Sequence, residues 1–301
     1  MTDDPDDYDV FLDTWEPGPR AVHASLPQNL TDPVARMRML EDMSGDEPLE
    51  RTLWVQGPKT MDEDEHALRV FKFFEENHDR WAGHFEDYLE ARDVPMEKVE
   101  TFVRAFATDW IDGASRRQNS AAMMAIKASI RDLDALRHPH GLDRWVINGV
   151  DPAAKALFNP EEMATIFDAN NGLIASFLPD YADELDYLGL SSLSDLWVRR
   201  GVYMPELHPE RRELHYLSSY SLALGPVEQF AQTFTPKTKG KGTPCVFSAP
   251  LPSIQTRVVA FAPFIRGMDL SQLEFVVAPP TEATPLFNDG EHGGIHEFRF
   301  L

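Results

Sequence analysis

Between residues 61 and 92, large apolar side chains return at mostly helical spacing: Leu68, Phe71, Phe74, Trp81, Phe85 and Leu89. A stripe of this kind can be buried only if other elements pack against it, so the chain must build a core around a long helix. Asp62, Glu63, Asp64 and Glu65 crowd the start of the run, where acidic groups suit the positive end of a helix dipole. The same pattern carries the expected helix as one element or as two.

Other stretches carry helix boundaries of their own. "PMEKVETFVRAFATDWI" is opened by Pro95 and closed near Gly113, and "SAAMMAIKASIRDLDALR" is broken by His138-Pro139-His140-Gly141. "NPEEMATIFDANNGLIASFL" has Asn159 as cap and Pro160 at the first helical position, the arrangement that helix starts favour. "TDPVARMRMLEDM" reads as an earlier helix capped by Thr31 or Asp32, and "SSLSDLWVRR" and "GPVEQFAQTF" as shorter helices.

The character of the chain changes near residue 235. From there to residue 301 there are six basic and six acidic residues, so the net charge of −22 lies entirely in residues 1–234. This last segment also holds eight prolines. "PCVFSAPL", "TRVVAFAPF" and "LEFVVAPP" are β-branched and aromatic runs bounded by proline, and they read as strands. Proline within them predicts sheet edges or irregular pairing rather than a large regular sheet. The expected fold is therefore mainly α, of the α+β kind. An acidic extended arm covers residues 1–30 and a helical body residues 31–234. A neutral, proline-rich, β-containing extension covers residues 235–301, packed on the body or on a neighbouring subunit.

Charge and composition narrow the function classes. A hydrophobic content of 43%, with 19 Phe and 6 Trp, supplies a sizeable core. A net charge of −22 argues against gripping nucleic acid through many phosphates or binding an anionic membrane. The single cysteine, Cys245, permits no intrachain disulfide and no cysteine-based zinc site. No basic n-region with an apolar run opens the sequence, and no apolar run approaches a membrane span. A soluble, cytoplasmic protein is the expectation.

Candidate chemistry is sparse. Lys237, Lys239 and Lys241 cluster in "TPKTKGKGTP". A phosphate loop would need Gly-Lys-Ser/Thr entering a helix; here Gly242 follows the lysine and a strand is expected next. The lysines read as an exposed turn, with an interface or RNA-facing loop as the functional alternative. "DDPDD" matches the Asp-Asp-x-x-Asp pattern that holds magnesium in terpenoid cyclases, but it surrounds a proline in the terminal arm and reads as a solvated tail. The Glu63/His66 and Glu75/His78 pairs sit about 18 Å apart along one helical stretch, too far to form one site. Arg131 and His138 in "RDLDALRH" resemble the arginine–histidine motif of HEPN-type ribonucleases, where arginine holds a phosphate and histidine moves a proton. Asp289, His292 and His296, with Glu291 and Glu297, make "DGEHGGIHEF" a candidate loop metal site. Its glycines exclude a helical His-Glu-x-x-His centre. Cys245 reads as a buried core thiol.

The acidic helical body of residues 31–234, followed by "GTPCVFSAPLPSIQTRVVAFAPFIRGMDLSQLEFVVAPP", resembles in general organisation the capsid proteins of small double-stranded RNA viruses of fungi. The resemblance implies a homodimer as the building block of a closed shell. Such a shell would enclose duplex RNA without tight binding, with no cofactor and with the virion as its location. An acidic arm suits a shell whose duplex must stay mobile better than one that condenses single-stranded RNA. Two other classes stand beside it. One is a hydrolase or metal-dependent enzyme using Arg131 and His138 or the 289–297 cluster. The other is an acidic inhibitor or immunity-type protein binding a basic partner.

Overall fold

The computed structural model describes residues 65–110, 120–139, 147–148, 150–184, 197–204, 214–215, 217–222, 227, 230–231, 242–270, 273–280, 286–292 and 294–300. The acidic arm, the expected helix after Thr31 and the lysine cluster lie outside these residues.

Four long helices follow one another: α1 (Glu65–Glu90), α2 (Met96–Thr108), α3 (Ala121–Arg137) and α4 (Pro160–Glu184). The stripe read from the sequence is the buried face of α1, where Phe74, Trp81, Phe85 and Leu89 are enclosed. α1 ends in a left-handed turn at Asp93, with φ of 58°. There the amide of Val94 donates to Leu89 (3.1 Å) and that of Asp93 to Glu90 (3.0 Å), satisfying carbonyls that the last helical turn leaves over. Ser120 caps α3 by accepting from the Met123 amide. Asn159 and Glu162 form a reciprocal capping box on α4: Oδ1 of Asn159 accepts from the Glu162 amide at 2.9 Å, and Oε2 of Glu162 from the Asn159 amide at 2.8 Å. Lys98 of α2 grips that same Glu162 at 2.7 Å. α4 runs on through Pro179, past the boundary expected near residue 178.

The expectation of a mainly helical chain is corrected by a seven-stranded mixed sheet; the described region is 50% helix and 25% strand. Its strands are β2 (Trp197–Met204), β4 (Ser218–Ser221), β5 (Thr243–Pro250), β6 (Val258–Phe261), β7 (Glu274–Val277), β8 (Leu286–His292) and β9 (Ile295–Phe300). Two-residue strands β1 (Ile147–Asn148) and β3 (Leu214–His215) pair in parallel by themselves. The large sheet runs in the order β6-β7-β4-β2-β5-β9-β8. Every neighbouring pair is antiparallel except β5 with β9. A short helix, α5 (Pro252–Gln255), links β5 to β6.

Two local readings gave way to this sheet. Trp197–Arg200, expected at the end of a short helix, opens β2, the strand beside β5 and β4. β5, expected at an edge because of its prolines, lies between β2 and β9. Pro244 and Pro250 sit at its two ends, outside the parallel register from Cys245 to Ser248, so no ladder bond to β9 is lost there. The sheet thus draws strands from both sides of residue 235.

The pleat puts alternate residues on opposite faces. One face carries an aromatic row that joins the helices in a single core. Phe261 and Phe275 stack with centroids 4.0 Å apart, Phe74 of α1 meets Phe261 edge-on at 5.5 Å, and Phe247 stacks on Phe298 at 5.3 Å. Burying each such ring contributes roughly 1.5 to 3 kcal/mol. Asn170 of α4 spans to the edge strand β6, donating to Val259 O at 2.8 Å and to its own helix at Ile166 O at 3.0 Å. Between Val258 and Ala260 the pairing of β6 with β7 shifts register, so this amide serves a carbonyl at the irregular step of an edge strand.

Candidate functional site: the polar face of the sheet

The residues singled out by sequence are mostly used to hold the fold. Arg131 clamps the segment before α4. Its guanidinium donates to the carbonyls of Asp151 (3.2 Å), Pro152 (3.1 Å) and Ala154 (3.0 Å), and to Asp132 at 2.9 Å. Ser129, two residues earlier in α3 and fully buried, completes the clamp by accepting from the amides of Leu157 (3.0 Å) and Phe158 (2.9 Å). His138 is the C-cap of α3, its amide donating to Asp134 O. Among the described residues no hydrogen bond or ion pair joins Arg131 to His138. His78 donates from Nε2 to Ile265 O at 3.2 Å, tying α1 to the loop after β6. Beside it, Arg266 pairs with Asp79 (3.1 Å) and Glu86 (3.3 Å) of α1.

"DGEHGGIHEF" is a β-hairpin. β8 pairs with β9 across a turn in which Gly294 takes φ of 80°. Pairing shifts between Asn288 and Gly290, the latter with φ of 92°, and Asp289 is the extra residue of that bulge. Asp289 pairs with Arg299 at 3.4 Å and His296 with Glu291 at 3.2 Å. His292 ends β8, opposite Ile295. Among the described residues no group of three or more His, Cys, Asp or Glu side chains is placed to hold a metal ion. Lys237, Lys239 and Lys241 lie outside the described residues. Their successor Gly242 donates its amide to the Tyr203 hydroxyl at 3.2 Å, and a Cβ there would sit 2.4 Å from Met204 O, so only glycine fits.

Sequence reasoning missed the face opposite the aromatic row. Register aligns Glu274 with Ser221, Ser221 with Arg199, Arg199 with Ser248, Ser248 with Arg299, and Arg299 with Phe287. These six positions cross β7, β4, β2, β5, β9 and β8 on one face, with strands about 4.8 Å apart. Glu274, Ser221 and Arg199 are buried, as is Glu297 beside Arg299. At one end Glu274 Oε1 accepts from the Trp110 indole at 2.7 Å and from the Ser219 hydroxyl. At the other, Arg299 lies over the Phe287 ring at 5.8 Å.

A buried charge persists when it is paired and hydrogen-bonded, so a row of this kind is a demanding thing to place inside a sheet. The signal for it in the sequence is the parity of "WVRRGVYM". Trp197, Arg199 and Gly201 fall on one face, Val198, Arg200 and Val202 on the other. Reading residues 191–200 with a helical period mixed those two sets.

Gly201 continues the polar face, and there the helical residues Val227 and Ala231 press onto the sheet. A Cβ on Gly201 would lie 1.8 Å from Val227 O. Val227, Ala231, Val246 and Ile295 form a small apolar cluster apart from the main core. No known protein family, curated protein or solved structure matches this chain.

Proposed function

We propose that the protein is a structural protein that associates with itself, a homodimer serving as building block of a closed shell around double-stranded RNA that it does not grip. The observation that carries this reading is the neutrality of residues 235–301, six basic against six acidic, which supply both terminal strands of the sheet, β6 and β8. Copies that each carry −22 can meet only where like charges are kept apart or neutralised. β8 is a terminal strand of the sheet; its Asp289 pairs with Arg299 at 3.4 Å, and Glu291 lies 3.2 Å from His296. A neutral segment at both edges of the sheet is a surface that two acidic copies can share. The carbonyl clamp made by the Arg131 guanidinium supports the same reading over a ribonuclease.

Light scattering of the purified full chain, with negative-stain electron microscopy of the same sample, tests it. Dimers and closed particles are the expected result. A chain that stays monomeric at high concentration overturns it.

A further inference from the structure

We propose that the polar face of the sheet holds a small oxyanion, a phosphate or carboxylate group, over Trp197, Arg199, Ser248 and Arg299. Trp197 and Arg199 are successive same-face residues of β2. Ser248 stands opposite Arg199, and Arg299 opposite Ser248. Nε1 of Trp197 and Nε of Arg299 are buried, and among the described residues neither has a hydrogen-bond partner. Both atoms are donors only, and burying a donor without an acceptor is costly. The two donors belong to β2 and β9, the strands that flank β5 and its Ser248, so one acceptor with several lone pairs held over β5 would serve both.

An oxyanion meets that requirement, and the planar fork of a guanidinium matches it well. Trp197 is 5% exposed and Arg199 3%, which leaves no room for a polynucleotide backbone and restricts the ligand to a small group. Among the described residues the charges on this part of the face are balanced, Arg199 and Arg299 against Asp289 and Glu297; Glu274 stands at the far end with Trp110 and Ser219. The ligand is therefore held by directed donors rather than by a positive field, and its binding depends little on salt. The site is independent of the assembly reading.

The test uses the full chain with its tryptophan indoles labelled by nitrogen-15. Inorganic phosphate and acetate are titrated separately at constant ionic strength, with chloride as control. The Trp197 indole signal, identified by its absence from W197F, should move with one or both oxyanions and not with chloride. A response to phosphate alone assigns a phosphate ligand, and to acetate alone a carboxylate. W197F, which keeps an aromatic ring and loses only the donor and some bulk, should bind about tenfold more weakly by calorimetry. R299K should weaken binding comparably; if it does not fold, W197F still decides. A Trp197 signal that moves with neither anion, as when ordered water satisfies both donors, overturns the proposal. So does W197F binding at unchanged affinity.

Discussion

Asp93 shows what a single backbone angle costs. It holds φ of 58° at the position after α1 where helices commonly use glycine. The side chain at that angle crowds its own carbonyl. Asp93→Gly should raise stability by about 0.5 to 1 kcal/mol, seen as a higher urea midpoint at unchanged slope. Cys245 is a second case. It is fully buried in β5, and burial pushes its thiol from 9.0 up to about 12. Below pH 9 both folded and unfolded chains keep the proton, and the thiol contributes no pH dependence. Between 9 and about 12 the unfolded chain loses it while the folded chain retains it. Stability should therefore fall with rising pH across that window, by at most about 1.4 kcal/mol per pH unit. Comparing urea midpoints of wild type and Cys245→Ala from pH 8 to pH 11 isolates the effect, since only the wild type carries this component of the slope.

At the scale of elements, the decisive contacts are those that seat one piece of chain on another. Gly201 lets the helical residues at 227 and 231 lie directly on β2. Gly201→Ala drives a methyl group into the Val227 carbonyl and should cost about 1 to 3 kcal/mol. Amide exchange should quicken first at Val246 and Ile295, whose apolar cover is displaced. Arg131 does comparable work on the segment before α4, satisfying three carbonyls at once. Arg131→Ala should lower stability by about 1 to 3 kcal/mol and speed exchange around residues 151–158, leaving the oligomeric state unchanged. Loss of assembly with normal stability would contradict the clamp. The helices themselves were legible because their boundaries are local chemistry: Ser120 and Asn159 cap their own helices from within a few residues. β2 was not legible. Its core-facing positions Val198, Val202 and Met204 are interrupted by Arg200, and its burial depends on partners far along the chain.

For the whole molecule, the net charge of −22 sets the terms of any association. Long-range repulsion between copies weakens as salt shortens the Debye length to about 8 Å at physiological strength and 3 Å at 1 M. Self-association by sedimentation velocity should therefore strengthen with added sodium chloride. Weakening with salt would instead indicate contacts built on attraction between charges, as in the inhibitor reading. By itself, the sequence determined the four helices, the buried stripe of α1, the strand-forming runs at 244–251, 256–264 and 273–280 and the neutrality of the final segment. Each of these follows from periodicity, capping or charge that neighbours in sequence supply. Only the tertiary structure decided that those strands join others from before residue 235 in one mixed sheet. It alone set Pro244 and Pro250 at the ends of an inner strand and aligned Glu274, Ser221, Arg199, Ser248 and Arg299 on one face. Register is a relation between strands, and no single segment carries it.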